Sequence, residues 1–257
     1  MRITILGCGS SSGVPMIGCT CAVCRSDNPK NKRSRVSVFI EINGKNLLID
    51  TSPDLRAQML ANHISRVDAV LYTHDHADHT HGIDDLRSFN YLSGNTLPVY
   101  CDQATCDSLL SRFGYAFGPK PDIWYRPSLK ANLIQSPNGK LNILDISIAY
   151  FEQLHGKVKT IGYRIGNFAY STDLDGLPEA AFEALEGTEI WVVDCLRKTK
   201  SHAHAHLEMT MGWIGRVKPK LAVLTHMSHD MDYDELTRIL PSGVVPGYDG
   251  MAMELEE

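Results

Sequence analysis

Residues 73–79 read Thr73-His74-Asp75-His76-Ala77-Asp78-His79, and His74, His76, Asp78 and His79 among them are candidate metal ligands. Two residues apart on extended backbone, His74 and His76 project to one side, and a turn into a following helix brings Asp78 and His79 round toward them. That spacing suits two adjacent cations. A chain of this composition would contain the pattern by chance on the order of once in a thousand sequences, which argues against a merely solvated polar turn. Three further candidates each follow an apolar run: His155 after ISIAYFEQL, Asp173 after FAYST and His226 after LAVLT. Sites of this kind are assembled from loops on one edge of a rigid scaffold, and these three fit such an edge. Asp50, at the end of LLID, is a candidate for orienting a metal-binding histidine through its second ring nitrogen, and Asp249 is another.

Cys19, Cys21 and Cys24 crowd into six residues. Pairwise disulfides there would be strained, so the crowding suggests a metal. Cys8, Cys101, Cys106 and Cys195 read as small apolar fillers. Lys30, Lys32, Arg33 and Arg35 form a basic run, which reads either as a solvated face or as a contact for a substrate phosphate. The opening glycines, Gly7 and Gly9 with Ser12 at the third position, fail the dinucleotide fingerprint.

The elements that must position these groups alternate along the chain. Residues 2–6 form a strand, and a long irregular stretch to about Ser34 follows, which something other than packing must order. VSVFIEI and KNLLID form a hairpin around Asn43-Gly44, a pair that tolerates positive φ. A helix over 53–62 precedes the buried strand VDAVLYT, and DDLRSFNYL continues helically after the histidine segment. A strand at 98–101 and a helix at 103–113 lead into 114–130, read as a flap from its aromatics, Gly and Pro. Strands are expected near 131–135, 146–151, 160–165 and 168–172, then a helix at 178–186, the strand IWVVD, a polar loop 196–205 and a helix 207–216. LAVLT, a helix near 233–239 and a short apolar end at 244–253 follow. Hairpins mixed with strand–helix units indicate an α/β fold.

Composition sets the outer bounds. The chain has 257 residues, 43% hydrophobic and 21% charged, which is globular composition, as one large domain or two closely packed halves. Its 25 Lys+Arg against 30 Asp+Glu give a net charge of −5, so nothing overall attracts a phosphate backbone and nucleic acid is not an expected partner. No apolar run reaches signal-peptide or membrane-span length, and the expectation is a cytoplasmic protein without a membrane partner.

With these residues in view, the chain resembles the metallo-β-lactamase superfamily, whose HxHxDH motif is matched in full by His74, His76, Asp78 and His79. The resemblance implies a four-layer αβ/βα sandwich over residues 1–257 as a single hydrolase domain, with a dinuclear site at one edge of the sheets. It further implies that His74, His76 and His155 hold one ion, that Asp78, His79 and His226 hold the other, and that Asp173 bridges them. The ions implied are divalent, manganese or zinc. Cys19, Cys21 and Cys24 with His229, three residues beyond His226, would close a Cys₃His zinc site that orders the loop at about 7–34.

The pairing of GVPxxGCxCxxC with a later THxSHD is similar to the phosphodiesterase family of the carbon–phosphorus lyase pathway, which acts on a cyclic ribose phosphate. In that family a histidine after the DC-containing strand acts near the scissile phosphate. Here Asp194-Cys195 is followed by SHAHAHLEMT, where His204 aligns best and His206 stands second. The function implied is hydrolysis of a small cyclic ribose-phosphate or nucleotide-like diester by a metal-bridging hydroxide, with His204 protonating the leaving group. Two divalent ions, two aspartates and one hydroxide leave such a pocket at about +1, favourable for an anionic ester. The partner implied is therefore a small-molecule phosphodiester, with monomer and homodimer both open. Two alternatives share the resemblance. Ribonuclease Z uses the same ligands but carries a basic arm for transfer RNA, and no long basic insertion is present. Cofactor-biosynthesis relatives share the cysteine-rich start and would make this a non-catalytic metal-binding protein.

Overall fold

The computed structural model describes residues 1–118 and 128–256. Among these, strands run at Arg2–Gly7 (β1), Ser37–Ile42 (β2), Lys45–Ile49 (β3), Ala69–Leu71 (β4), Leu97–Cys101 (β5), Leu129–Leu133 (β6) and Gly139–Ile143 (β7). They continue at Ile146–His155 (β8), Val158–Ile165 (β9), Phe168–Ser171 (β10), Ile190–Asp194 (β11), Leu221–Thr225 (β12), Val244–Pro246 (β13) and Ala252–Glu254 (β14). Helices lie at Ala22–Arg25 (α1), Leu55–Ala61 (α2), Ala77–Thr80 (α3), Arg87–Ser93 (α4), Gln103–Phe117 (α5), Glu179–Leu185 (α6), Leu207–Val217 (α7) and Tyr233–Ile239 (α8). The chain divides into two compact units, one of residues 1–6, 37–135 and 252–257, the other of residues 7–36 and 136–251.

The first unit carries a sheet in the order β14-β1-β2-β3-β4-β5-β6. Asn43 and Gly44, at φ of 50° and 69°, make the expected tight turn, which sets Ile42 opposite Lys45 and fixes the β2–β3 register. From β3 to β6 the pairing is parallel, so these strands deliver their carboxyl ends to one edge. Asp50 follows β3 on that edge and the histidine segment follows β4. The core beneath includes Phe39, Leu48, Val70, Leu86 and Leu109, each at most 3% exposed. Fully burying a side chain of this size contributes roughly 1.5–3 kcal/mol. The element after the histidine segment is a short 3₁₀ turn at Ile83–Leu86 and then α4, a division that the expected single helix did not anticipate.

The second unit carries a sheet in the order β13-β12-β11-β10-β9-β8-β7. β10 to β13 are parallel, while β7, β8, β9 and β10 pair antiparallel. Two reversals make β8 run in the direction of β10, so His155, Asp173, Asp194 and His226 all fall at one edge. β8 extends past the expected end at 151, pairing His155 with Val158 across Gly156 at φ 59°. β7 was not foreseen, because its turn into β8 uses Leu144 and Asp145 at positive φ in place of glycine.

Part of the expected flap at 114–130 is instead helix, since α5 runs to Phe117, and part is β6, which starts at Leu129. Residues 119–127 of that expectation lie outside the described residues. Among the described residues no helix is long and apolar enough to cross a membrane.

Candidate metal centre

In the first unit the chain leaves β4 through Thr73 and His74, and α3 begins immediately after His76, so Asp78 and His79 sit on its first turn. His74 is 4.4 Å from His76 and 4.2 Å from His79 between ring centroids. His79 Nε2 lies 3.5 Å from Asp78 Oδ2. Asp50 sits behind them with φ 61° and no exposure. It accepts the Thr73 backbone N–H and hydroxyl at 2.8 Å each and meets His79 Nδ1 at 2.7 Å. A carboxylate only accepts, so His79 donates from Nδ1 and its Nε2 keeps the lone pair that a metal requires. Burial raises the Asp50 pKa, with the His79 and Thr73 contacts opposing it. The loop is tied to α5 as well. Asp75 accepts Ser108 Oγ at 2.6 Å on its carboxylate and Arg112 Nη2 at 2.6 Å on its carbonyl.

In the second unit Asp173 and His226 follow β10 and β12 at φ 52° and 55°, left-handed conformations that an L residue holds at a cost and that recur at functional sites. Their side chains meet, His226 Nε2 to Asp173 Oδ1, at 3.4 Å, and His155 Nε2 lies 3.9 Å from Asp173 Oδ2. His155 places Nδ1 2.6 Å from the Ala203 carbonyl. That oxygen can only accept, so His155 also keeps its lone pair on Nε2. His204 stacks on His226 at 4.8 Å and 11° and lies 4.6 Å from His155. Its Nδ1 is 3.2 Å from Asp194 Oδ2, which also accepts the Leu174 N–H.

Asp194 was noted in the sequence only as a landmark before the histidine run; its signal was an acid closing the buried strand IWVVD. His206 occupies a different place. It precedes α7, with Nε2 4.0 Å from Glu208 and a buried Nδ1, apart from the group formed by Asp194, His204 and His226.

The cysteine cluster also assembles within the second unit. Ligand atoms of Cys19, Cys21, Cys24 and His229 all lie within 4.8 Å of one another. Cys19 Sγ and Cys21 Sγ stand 3.7 and 3.5 Å from His229 Nδ1. A tetrahedral zinc ion with bonds of 2.3 Å to sulfur and 2.0 Å to nitrogen spans edges of about 3.5–3.8 Å, the range of the two distances from His229. The Cys24 N–H, followed by His229, lowers the Cys21 thiol to about 6, while burial pushes Cys24 up to about 11.

Two expectations change here. Arg33, read as part of a solvated or phosphate-facing basic run, is 2% exposed. It donates to the carbonyls of Met231 at 2.6 Å and Ser228 at 3.4 Å, on either side of His229. Asp249, a candidate for orienting a metal-binding histidine, accepts instead from Ser34 N and Oγ at 2.7 and 2.6 Å and from Cys8 N at 3.2 Å. Its work is to fix the start of the cysteine loop.

Comparison with known proteins places this geometry. The family model of the Beta-lactamase superfamily domain matches residues 45–227. An octanoyltransferase of Porphyromonas gingivalis is 37% identical over 262 aligned positions, covering all of this chain and 52% of that protein. A ribonuclease Z of Methanopyrus kandleri is 31% identical over 140 positions, 53% of this chain and 46% of its own. The chain therefore spans about half the length of these curated relatives. The crystal structure of a new diphosphatase from the PhnP family superposes with a TM-score of 0.90 at 35% identity, over 99% of this chain and 98% of that one. The match over residues 45–227 runs from β3 through His226, taking in the histidine segment and the strand ends that carry His155 and Asp173, and the chain belongs to the metallo-β-lactamase superfamily.

Proposed function

We propose that the chain is a metal-dependent phosphodiesterase that opens a small cyclic ribose-phosphate or nucleotide-like diester. His74, His76 and His155 would hold one divalent ion, manganese or zinc, and Asp78, His79 and His226 the other, with Asp173 shared. The fit rests on tautomers: Asp50 and the Ala203 carbonyl leave Nε2 of His79 and of His155 as the coordinating atom. Bound there, such ions lower the pKa of water toward 7 and polarise phosphoryl oxygens. Held by two carboxylates, they leave the centre cationic and attractive to a phosphate ester. Cys19, Cys21, Cys24 and His229 would hold a structural zinc that orders the long loop.

The observation that carries the reading is His204 held on Asp194 beside Asp173 and His226. An alkoxide leaving group needs a proton, and a positioned histidine can deliver it, for typically 10²–10⁴ in rate. Asp194 fixes the ring through Nδ1–H, and in the protonated imidazole the second hydrogen, on Nε2, is the one that would pass to the leaving oxygen. The seven free cysteines suit work in a reducing compartment such as the cytoplasm.

A second reading, cleavage of a diphosphate, is favoured by the 35% identical diphosphatase. The manganese-loaded enzyme assayed on cyclic diesters, linear diesters, diphosphates and precursor transfer RNA separates these. The highest kcat/KM is expected on a cyclic diester. Preference for a diphosphate selects the second reading, and preference for RNA overturns both.

A further inference from the structure

Along β8, Phe151, Gln153 and His155 share one face, so a fully buried glutamine stands where the alternation calls for an apolar side chain. Its register partner on β9 is Thr160, 1% exposed. Gln153 Nε2 donates to Thr160 Oγ1 at 3.0 Å and to the Thr172 carbonyl at 3.2 Å. Thr160 Oγ1 in turn donates to the Asp173 carbonyl at 2.9 Å, and Thr172 Oγ1 donates to Asp173 Oδ1 at 2.8 Å.

The directions of these bonds are forced. Backbone carbonyls only accept, so the Thr160 hydroxyl hydrogen goes to Asp173, and the same oxygen must accept from Gln153. The amide is therefore oriented with its nitrogen toward Thr160 and the Thr172 carbonyl, which leaves Oε1 buried with no partner among the described residues. An unmet buried acceptor lowers stability. The room for the glutamine depends on Gly162, where a Cβ would come within 2.3 Å of Phe151 and 2.7 Å of Oε1.

We infer that Gln153 and Thr160 are positioning residues that pin the backbone of Asp173 in its left-handed conformation and so aim its carboxylate. This rests on the reading of Asp173 as a metal ligand. Asp173 sits at φ 52°, a left-handed conformation that an L residue holds at some cost, and relaxation toward extended backbone would swing the side chain away from His155 and His226. Donors on the carbonyls at 172 and 173 oppose that relaxation from behind.

The test compares Thr160→Val, which keeps shape and removes the hydroxyl, with Thr160→Ser, which restores it. Manganese binding to the full-length protein is followed by electron paramagnetic resonance, and thermal unfolding of the metal-free form is recorded alongside. Thr160→Val is expected to bind manganese 10–100-fold more weakly, with the metal-free protein still folded at a lower unfolding midpoint because the Asp173 carbonyl loses its donor, and Thr160→Ser is expected to recover most of both losses. Wild-type manganese affinity in folded Thr160→Val overturns the inference. Should Thr160→Val not fold, Gln153→Met carries the test, with weaker manganese binding expected and unchanged binding overturning the inference. Asp173→Ala separates the two levels. If it too binds like wild type, the ligand reading fails and the inference with it; if it loses manganese while folded Thr160→Val does not, only the positioning role is overturned.

Discussion

Asp194 Oδ2 lies 3.2 Å from His204 Nδ1 and receives the Leu174 N–H on the same oxygen at 3.1 Å. The carboxylate is fully buried and held by the backbone, while the imidazole is 17% exposed, so the acid fixes the ring and part of the ring stays accessible. If His204 protonates the leaving oxygen, its loss must hurt poor leaving groups most. His204→Ala should lower kcat on alkyl phosphodiesters by about 10²–10⁴-fold and leave bis(4-nitrophenyl) phosphate much less affected. Equal losses on both ester types would show that His204 does something else.

Asp194→Asn keeps the shape and replaces the acceptor that orients His204. About 10–100-fold in kcat on alkyl esters should be lost, with KM nearly unchanged. Steady-state kinetics on one alkyl diester checks this, and a loss confined to KM would mean that Asp194 serves binding.

The zinc site proposed at Cys19, Cys21, Cys24 and His229 is separable from the proposed reaction. Elemental analysis of Cys21→Ser should show one zinc fewer per chain than wild type, with a lower unfolding midpoint and kcat largely kept in the folded fraction, because a closed Cys₃His site has no open position for substrate. Zinc content equal to wild type would remove Cys21 from the ligand set.

Asp249 gives a pH signature. Burial pushes its carboxyl up to about 6 in the fold, against the bonds from Ser34 and Cys8. Below its unfolded value the group is protonated in both states and adds no penalty. Between that value and about 6 only the unfolded chain releases the proton, so the contribution to stability falls as pH rises, by about 2–3 kcal/mol in all. Urea unfolding of wild type and Asp249→Asn across pH 4 to 7 should show the difference between them shifting in that direction, and a constant difference would contradict the assignment.

How much of this was legible depended on how local each relationship is. His74, His76, Asp78 and His79 fall within six residues, so their geometry follows from one strand end and one helical turn. Asp50, His155, Asp173 and His226 were readable because each closes an apolar run. Gln153 and Asp194 were not singled out, since a polar residue in a strand looks solvated unless its pairing partners are known, and the register that buries Gln153 against Thr160 comes from the fold. Arg33 was hidden for the same reason. A basic run predicts exposure, and only contact with the loop at Ser228–Met231 shows one member turned inward. Length misled at β8, whose expected end at 151 falls four residues short of His155, the end of a hairpin arm.

Asp173 is proposed to be shared by two ions held also by the histidine segment, His155 and His226. Metal content per folded chain, measured on dialysed wild type and Asp173→Ala, tests it most directly. About three ions per chain are predicted for the wild type, two labile and one zinc, with Asp173→Ala keeping the zinc and losing the labile pair. Retention of both labile ions in Asp173→Ala, or a wild type that holds the zinc alone, would contradict the account.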